Sequence, residues 1–183
     1  MTDIHEQNTW PVWANEKIDI VKPDPNWIKK GEQEKDLLLH LLSGLGITEV
    51  QHYGSTSIPN LPAKPIIDLM AKIDSFENIK EVDSLLSNHS WHYVHPELDG
   101  RHWQRFFVKV MNDKRVVHLH IMLEGEERWN KQLLFRDLLR NNTDFVYEYA
   151  NLKENLAIKY ADDREKYTKA KTEFINYVLH SHS

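Results

Sequence analysis

The chain has 183 residues, of which 40% are hydrophobic and 28% charged, a composition typical of one globular domain. Its formal net charge of −5, from 23 basic and 28 acidic residues, argues against binding nucleic acid through a broad basic surface. The absence of cysteine excludes disulfides and cysteine-ligated zinc.

Residues 1–16 predict a flexible N-terminal arm, followed by a single domain over residues 17–183. The arm carries acidic residues early and has no apolar segment of the kind found in signal peptides. No run of apolar residues is long enough to cross a membrane. We therefore expect a cytoplasmic protein that does not contact membranes.

Hydrophobic periodicity and turn residues divide the domain into strands and helices. In chain order, the predicted elements are an edge strand at 17–22, a helix at 26–44, strands at 47–53 and 66–73, a helix at 75–89 that starts at Asp74, strands at 91–95, 104–110 and 115–123, and helices at 127–141, 144–160 and 163–180. This order predicts an α+β fold with a mixed β-sheet and flanking helices. Residues 17–125 would form the α/β core and residues 126–183 a C-terminal helical cap.

Four polar or small residues, Gly54, Ser55, Thr56 and Ser57, directly follow the strand at 47–53. We call them the 54–57 loop. Glycine lets the backbone approach a ligand closely, and three hydroxyls with free backbone N–H groups can hold phosphate oxygens. A polar turn between two strands explains the same four residues.

Asp68 lies in the middle of the predicted strand at 66–73 and shares its face with Ile66 and Met70. A carboxylate in an apolar strand is costly to bury unless it is paired or holds a cation. The sequence leaves two explanations open. Asp68 either binds a metal ion or forms a structural salt bridge, with Lys64 or with an arginine.

His118 and His120 are two residues apart on a predicted strand, so both imidazoles point to one face, roughly 7 Å apart. Two aligned histidines can bind a metal ion, contact phosphate or relay protons. They are equally compatible with a hydrogen-bonded pair that has only a structural role.

Two cationic residues are candidates for contacts with substrate. Lys64 precedes Pro65, which favours extended backbone and would hold the lysine at the start of the Asp68 strand, where a phosphate can sit. Arg136 lies in the predicted helix at 127–141 and can reach the same cleft. A salt bridge with Asp137 on the helix surface is the alternative for Arg136.

Several blocks of this sequence together resemble the GrpB (UPF0157) family. They are PDPNW at 23–27, HYGSTSIP at 52–59, AKPIID at 63–68, HLH at 118–120, LFRDLLR at 134–140, and Tyr167, Ala170, Lys171, Phe174 and Ile175 near the end. The resemblance covers residues 17–178, and the blocks occur in the family's order.

The resemblance implies a fold of the nucleotidyltransferase superfamily, in which related domains also occur fused to dephospho-CoA kinases. The superfamily pattern is a Gly-Ser or Gly-Gly element, a spacer of about ten residues, and two acids separated by one residue on a strand. Gly54, Ser55 and Asp68 fit that pattern, whereas Met70 stands where the second acid is expected. Thioether sulfur is a poor ligand for magnesium, so a site with two magnesium ions is not expected here.

The resemblance therefore implies a protein that binds a nucleotide or a phosphorylated small molecule and can transfer a nucleotidyl group with a divalent metal, Mg or Mn. Asp68, His118 and His120 would be the catalytic and metal-binding residues. The 54–57 loop, Lys64 and Arg136 would bind the substrate. Two alternatives remain open: a nucleotide-binding module without catalysis, which Met70 favours, and a single-metal enzyme that uses Asp68, His118 and His120. Two histidines and one carboxylate suit manganese, iron, zinc or nickel better than magnesium.

Overall fold

A computed structural model describes residues 10–182 of the chain. Of the predicted N-terminal arm, residues 1–16, positions 1–9 lie outside the described residues. Val12–Asn15 form one turn of 3₁₀-helix, and two backbone carbonyls of this turn accept hydrogen bonds from Arg115. The division of the chain into a flexible arm and a domain stays a prediction.

Five strands and seven α-helices follow within residues 10–182. They are α1 (Asn26–Leu42), β1 (Ile47–Tyr53), β2 (Ile67–Ile73), α2 (Ile79–Ser87), β3 (Trp91–Val94), α3 (Pro96–Asp99), β4 (Gln104–Met111), β5 (Lys114–Leu123), α4 (Glu127–Arg140), α5 (Thr143–Lys159), α6 (Arg164–Ala170) and α7 (Thr172–His180). Within the described residues, none of these helices combines the length and apolar composition needed to span a bilayer.

The strands form one mixed sheet in the order β1-β2-β5-β4-β3. The β2 and β5 strands are parallel and every other pair is antiparallel. In the parallel register, Asp68 is opposite His118 and Met70 is opposite His120. The sheet thus joins the aspartate strand to the histidine strand, which the sequence alone could not establish.

The two faces of the sheet have different neighbours. Alternate residues of β2 and β5, such as Leu69 and Leu119, are fully buried in the main core with residues of α1 and α2. On the other face, Met70 and Met122 pack against Trp129 of α4. Asp68 shares this second face, as the alternation of side chains predicts.

The C-terminal helices α4, α5 and α7 pack around Ile58 and Leu61, which follow the 54–57 loop. Phe135 of α4, Tyr149 of α5 and Val178 of α7 are buried in this second core. Because the cap is anchored on this segment, the cap helices are positioned next to the loop.

Three local predictions differ from the structure. Residues 17–22 do not form a strand, because only Val21 pairs with another residue, Ala63, and Pro23 and Pro25 follow closely. The turn before α2 is capped by Ser75, which accepts a hydrogen bond from the Glu77 N–H, and Asp74 lies outside the turn. The last predicted helix is divided into α6 and α7 at Lys171.

Candidate metal and phosphate site

The 54–57 loop places Gly54 against the Asp68 carboxylate. Gly54 has a φ of +71° and a ψ of −171°, a conformation that is almost exclusive to glycine. A Cβ at this position would lie 2.7 Å from Asp68 Oδ2. Glycine is therefore required both by the backbone angle and by the close approach to Asp68.

Asp68 and His118 face each other across the parallel strand pair. Their Oδ1 and Nδ1 atoms are 3.4 Å apart, and 30% of the Asp68 side chain remains exposed, so the carboxylate lies at the bottom of an open recess. Burial alone would raise the pKa of Asp68, but the hydrogen bond and charge of His118, with the charges of His120 and Lys64, lower it to about 2. Asp68 is consequently ionised at neutral pH.

His120 completes a cluster with Asp68 and His118, which we call the Asp/His/His cluster. One ligand atom from each of the three residues lies within 4.8 Å of the other two. Burial lowers the pKa of His120 to about 3 and also lowers that of His118, although the Asp68 charge opposes both shifts. Both rings are therefore neutral at pH 7, and a neutral imidazole has the free lone pair that a metal ion requires.

Gln104 of β4 fixes which nitrogen of His120 carries the proton. The Gln104 amide nitrogen donates to Asp99 Oδ2 at 3.1 Å, which leaves its oxygen facing His120 Nδ1 at 2.7 Å. The Nδ1 atom must then donate its proton to Gln104, and the lone pair is on Nε2. Histidines that bind metals typically donate the N–H of their other ring nitrogen to a neighbouring acceptor in this way.

The hydroxyls of the 54–57 loop do not all face the recess. Thr56 and Ser57 are 2% and 0% exposed. Thr56 Oγ1 donates to the Ile66 carbonyl and contacts His52 Nε2, and Ser57 Oγ donates to the Gly54 carbonyl. These two hydroxyls stabilise the loop, which leaves Ser55, beside the Tyr149 phenol, as the hydroxyl that can reach a ligand.

Three lysines have charges that act on Asp68. Lys64 precedes β2, Lys153 lies on α5 and Lys171 lies between α6 and α7; we call them the lysine cluster. Lys64 Nζ and Lys171 Nζ lie 5.5 and 4.7 Å from the centre of the Tyr167 ring. Lys153 is 2% exposed, and its Nζ donates to the Pro62 carbonyl.

The lysine cluster carries positive charge that no acid neutralises directly. Among residues 10–182, no carboxylate lies within ion-pair distance of any of the three ammonium groups. Burial, and then the charges of Lys171 and Arg164, lower the pKa of Lys64 to about 7. Burial lowers the pKa of Lys171 to about 8 and that of Lys153 well below its usual value.

Tyr167 adds a buried hydroxyl to the lysine cluster. The side chain is fully buried, and its hydroxyl has no hydrogen-bond partner among the described residues. A buried hydroxyl without a partner costs about 1–3 kcal/mol, so such groups are usually paired.

The Arg136 guanidinium is hydrogen-bonded to residues of β1 and to its neighbour Asp137. Its Nη1 donates to the His52 carbonyl at 3.0 Å and to Gln51 Oε1 at 3.2 Å, and its Nε donates to Asp137 at 2.8 Å. These bonds attach α4 to β1, so the structure does not direct the Arg136 guanidinium into the recess. Lys64, in contrast, is one of the charges that act on Asp68.

The sequence profile of the GrpB protein family matches residues 17–181 of this chain. The chain belongs to the GrpB family. UPF0157 protein YqkA of Bacillus subtilis is 34% identical over 164 residues, which are 90% of this chain and 47% of that protein. Glutamate-rich protein GrpB of Alkalihalophilus pseudofirmus is 30% identical over 165 residues, which are 89% of this chain and 94% of that protein. The chain thus spans about half the length of the B. subtilis relative.

The structure of this GrpB-family chain is similar to two kinds of solved structure. The crystal structure of conserved protein GrpB from Enterococcus faecalis has a TM-score of 0.78 and 29% identity, over 89% of this chain and 96% of that one. The Cid1 poly(U) polymerase with Mg 3′-dATP bound has a TM-score of 0.53 and 14% identity, over 75% of this chain and 43% of that one. The family and the nucleotidyltransferase-like α+β fold are both confirmed.

The sequence does not assign a role to several residues of the site. Tyr167 and Lys171 belong to the last of the family blocks but carry no predicted role, and Lys153 lies on α5, whose apolar stripe indicates only packing. Gln104 is one polar residue at the start of a strand. The cap lysines lie about 100 residues after the Asp68 strand, so only the packed structure brings them to the loop.

Proposed function

We propose that this protein binds the phosphate groups of a nucleotide or a phosphorylated small molecule between the 54–57 loop and the cap helices. In the same proposal, a divalent metal ion at the Asp/His/His cluster assists transfer of a nucleotidyl group. The observation that carries the proposal is the lysine cluster: Lys64 and Lys171 both lie over the Tyr167 ring, and among the described residues no carboxylate lies within ion-pair distance of any of the three amino groups.

Electrostatics favour an anionic ligand at the lysine cluster. Burying an ammonium group costs free energy, and placing like charges together costs more. The depressed pKa of each lysine reports that cost. A ligand with several phosphate oxygens would offset the repulsion, and the Tyr167 hydroxyl could donate to one of those oxygens. In the 54–57 loop the Ser57 N–H is already bonded to the Gly54 carbonyl, so we assign the Ser55 hydroxyl as the donor to the same ligand.

The donor set of the Asp/His/His cluster suits one metal ion. Two ligand atoms that are each about 2.1 Å from one ion are separated by about 3.0–3.4 Å. The 3.4 Å between Asp68 Oδ1 and His118 Nδ1 matches the upper end of this separation. The side chain of Met70 contains no oxygen and is fully buried against Trp129, so this position provides no ligand for a second ion. Manganese accepts both oxygen and imidazole ligands and fits the set better than magnesium.

The residues then have defined tasks in a nucleotidyl transfer. An acceptor hydroxyl oxygen bonds to the α-phosphorus, the bond from that phosphorus to the bridging oxygen breaks, pyrophosphate leaves, and the hydroxyl proton passes to water. The metal ion would withdraw charge from the phosphate oxygens. Lys171 would stabilise the leaving pyrophosphate, and Gly54 would let the phosphate approach the metal ion held by Asp68.

Calorimetric titration with a non-hydrolysable ATP analogue and Mn²⁺ tests this proposal. Lys171→Gln should weaken analogue binding at least about tenfold, because one charge-assisted phosphate contact is lost. Lys169→Gln is the matched control, since Lys169 is two residues away, largely exposed and paired with Glu165. Failure of wild-type protein to bind any nucleotide or phosphorylated metabolite in a broad screen with Mn²⁺ would disprove the proposal.

Met70 supports a second candidate, a nucleotide-binding module without transfer activity. The absence of a carboxylate at this position removes one metal ligand, whereas the lysine cluster needs no metal to bind phosphate. This candidate predicts equal analogue affinity with Mn²⁺ and with a chelator. A strict requirement for metal in binding would exclude it.

A further inference from the structure

A second cavity lies beyond Lys64, outside the Asp/His/His cluster. It has a volume of about 370 Å³, within the range of small-molecule sites. The cavity is lined by Glu16, Lys17 and Asp19, by residues 64–66 directly before β2, by residues 114–116 at the start of β5, and by Arg164 at the start of α6. Five cationic side chains line the cavity, against two acids, Glu16 and Asp19. The five are Lys17, Lys64, Lys114, Arg115 and Arg164.

The two arginines are bound to backbone carbonyls. Arg115 donates from Nε to the Trp13 carbonyl at 2.9 Å and from Nη2 to the Ala14 carbonyl at 3.2 Å, and Arg164 donates to the Glu16 carbonyl at 3.0 Å. Within residues 10–182, neither guanidinium has a carboxylate at ion-pair distance. A guanidinium has five N–H donors, so both arginines retain donors for a ligand.

The two guanidinium groups are close enough to repel one another. Burial, and then the charge of Arg164, lower the pKa of Arg115 to about 10, although Glu16 offsets part of the effect. Arg115 and Arg164 also contribute to the lowered pKa of Lys64. The cavity therefore has an excess of positive charge that a dianion would neutralise.

We propose that this cavity binds the phosphate group of a second substrate, a phosphorylated small molecule that accepts the nucleotidyl group. The role as acceptor rests on the function proposed above, whereas anion binding in the cavity stands without it. Lys64 lines the cavity and also acts on Asp68, so it connects the two sites. An acceptor anchored at Arg115 and Arg164 would extend past Lys64 toward a nucleotide over the 54–57 loop.

Titration of inorganic phosphate into the full chain tests the inference, with and without a saturating non-hydrolysable ATP analogue and Mn²⁺. We expect phosphate to bind one site in the presence of the analogue. Arg164→Gln and Lys114→Gln should each weaken that binding at least about fivefold and leave analogue affinity within about threefold. Lys114 is exposed, so its replacement does not threaten folding. Lys131→Gln on α4, 65% exposed, is the control for charge alone.

Each outcome separates this inference from the function proposed above. Competition between phosphate and the analogue for one site, or insensitivity of phosphate binding to both Arg164→Gln and Lys114→Gln, overturns the second site. If wild-type protein does not bind the analogue, the titration with phosphate alone tests the cavity. Weaker phosphate binding by Arg164→Gln but not by Lys171→Gln supports the cavity as the binding site, and the reverse pattern overturns it.

Discussion

The tautomer of His120 is fixed by a single neighbouring residue, Gln104. Gln104→Met removes the acceptor for the His120 Nδ1 proton at similar volume, so the ring is free to rotate or to change tautomer. We expect Mn²⁺ affinity, measured by electron paramagnetic resonance, to fall about 10–100-fold. Gln132→Met, at an exposed position of α4, is the control. Equal Mn²⁺ affinity in both variants would show that Gln104 does not orient a metal ligand.

Lys64 makes anion binding depend on pH. It faces the charges of Lys171, Arg164, Arg115 and Asp68, and its pKa is lowered to about 7. Its ammonium form is complete only below that pH, so affinity for sulfate, whose charge is constant, should fall between pH 6 and 8, by at most about tenfold per pH unit for one lysine. Lys64→Arg keeps the charge and should flatten the profile between pH 6 and 7.5. A steep profile in this variant would assign the titration to another group.

At the scale of the secondary-structure elements, the turn from β1 to the 54–57 loop sets the distance between loop and metal cluster. Gly54→Ala places a methyl group 2.7 Å from Asp68 Oδ2 and demands an unfavourable backbone angle. We expect a loss of unfolding free energy of about 1–3 kcal/mol and weaker Mn²⁺ binding. Gly100→Ala, also at positive φ but with no atom within 4 Å of the new Cβ, should lose stability alone. Chemical denaturation and Mn²⁺ titration of both variants make the comparison.

Regular elements were predictable where the periodicity is strong and local. The strand at 47–53 coincides with β1, and the strand and helix predicted at 115–123 and 127–141 differ from β5 and α4 by one residue at one end. The predicted edge strand at 17–22 failed because strand formation depends on a pairing partner, and the sheet ends at β1. The division between α6 and α7 was missed because the apolar stripe continues across Lys171.

The candidate site was predictable only in part, because its residues are brought together by contacts between segments that are distant in the sequence. Spacing along single strands predicts that Asp68 shares a face with Met70, and His118 with His120. The convergence of those pairs depends on the parallel pairing of β2 with β5. The lysine cluster and the second cavity depend further on how the cap packs on the segment after the 54–57 loop, which no local pattern encodes.

Over the whole molecule, charge is unevenly distributed. The chain has a net charge of −5, yet seven cationic residues lie within or beside two adjoining sites around Lys64. They are Lys17, Lys64, Lys114, Lys153, Lys171, Arg115 and Arg164. Such a concentration opposes folding of the unliganded protein, because like charges repel and burial disfavours each charge. These charges lower the free energy of unfolding, as is common for residues of ligand-binding sites.

Thermal unfolding can distinguish the destabilisation caused by these charges from their contribution to ligand binding. In the folded state Lys171 has a pKa lowered to about 8 from its ordinary value, so at pH 6.5 its charge destabilises the fold, and the penalty declines only as pH rises above 8. Lys171→Gln should therefore raise the Tm of the unliganded protein at pH 6.5. With Mn²⁺ and an ATP analogue at a hundred times Kd, wild-type protein should gain about 2.7 kcal/mol, or about 5–10 °C in Tm.

The same ligands should stabilise Lys171→Gln much less, and a chelator should remove the part of the wild-type gain that depends on metal. Lys171→Gln is thus expected to raise the Tm without ligand and to reduce the gain in Tm from ligand. Replacement of a lysine that only stabilises the fold would instead lower the Tm without ligand. Lys169→Gln, exposed on α6, should match wild-type protein in both measurements. A lower unliganded Tm for Lys171→Gln, together with an unchanged gain from ligand, would show that the lysine cluster stabilises the cap and does not bind phosphate.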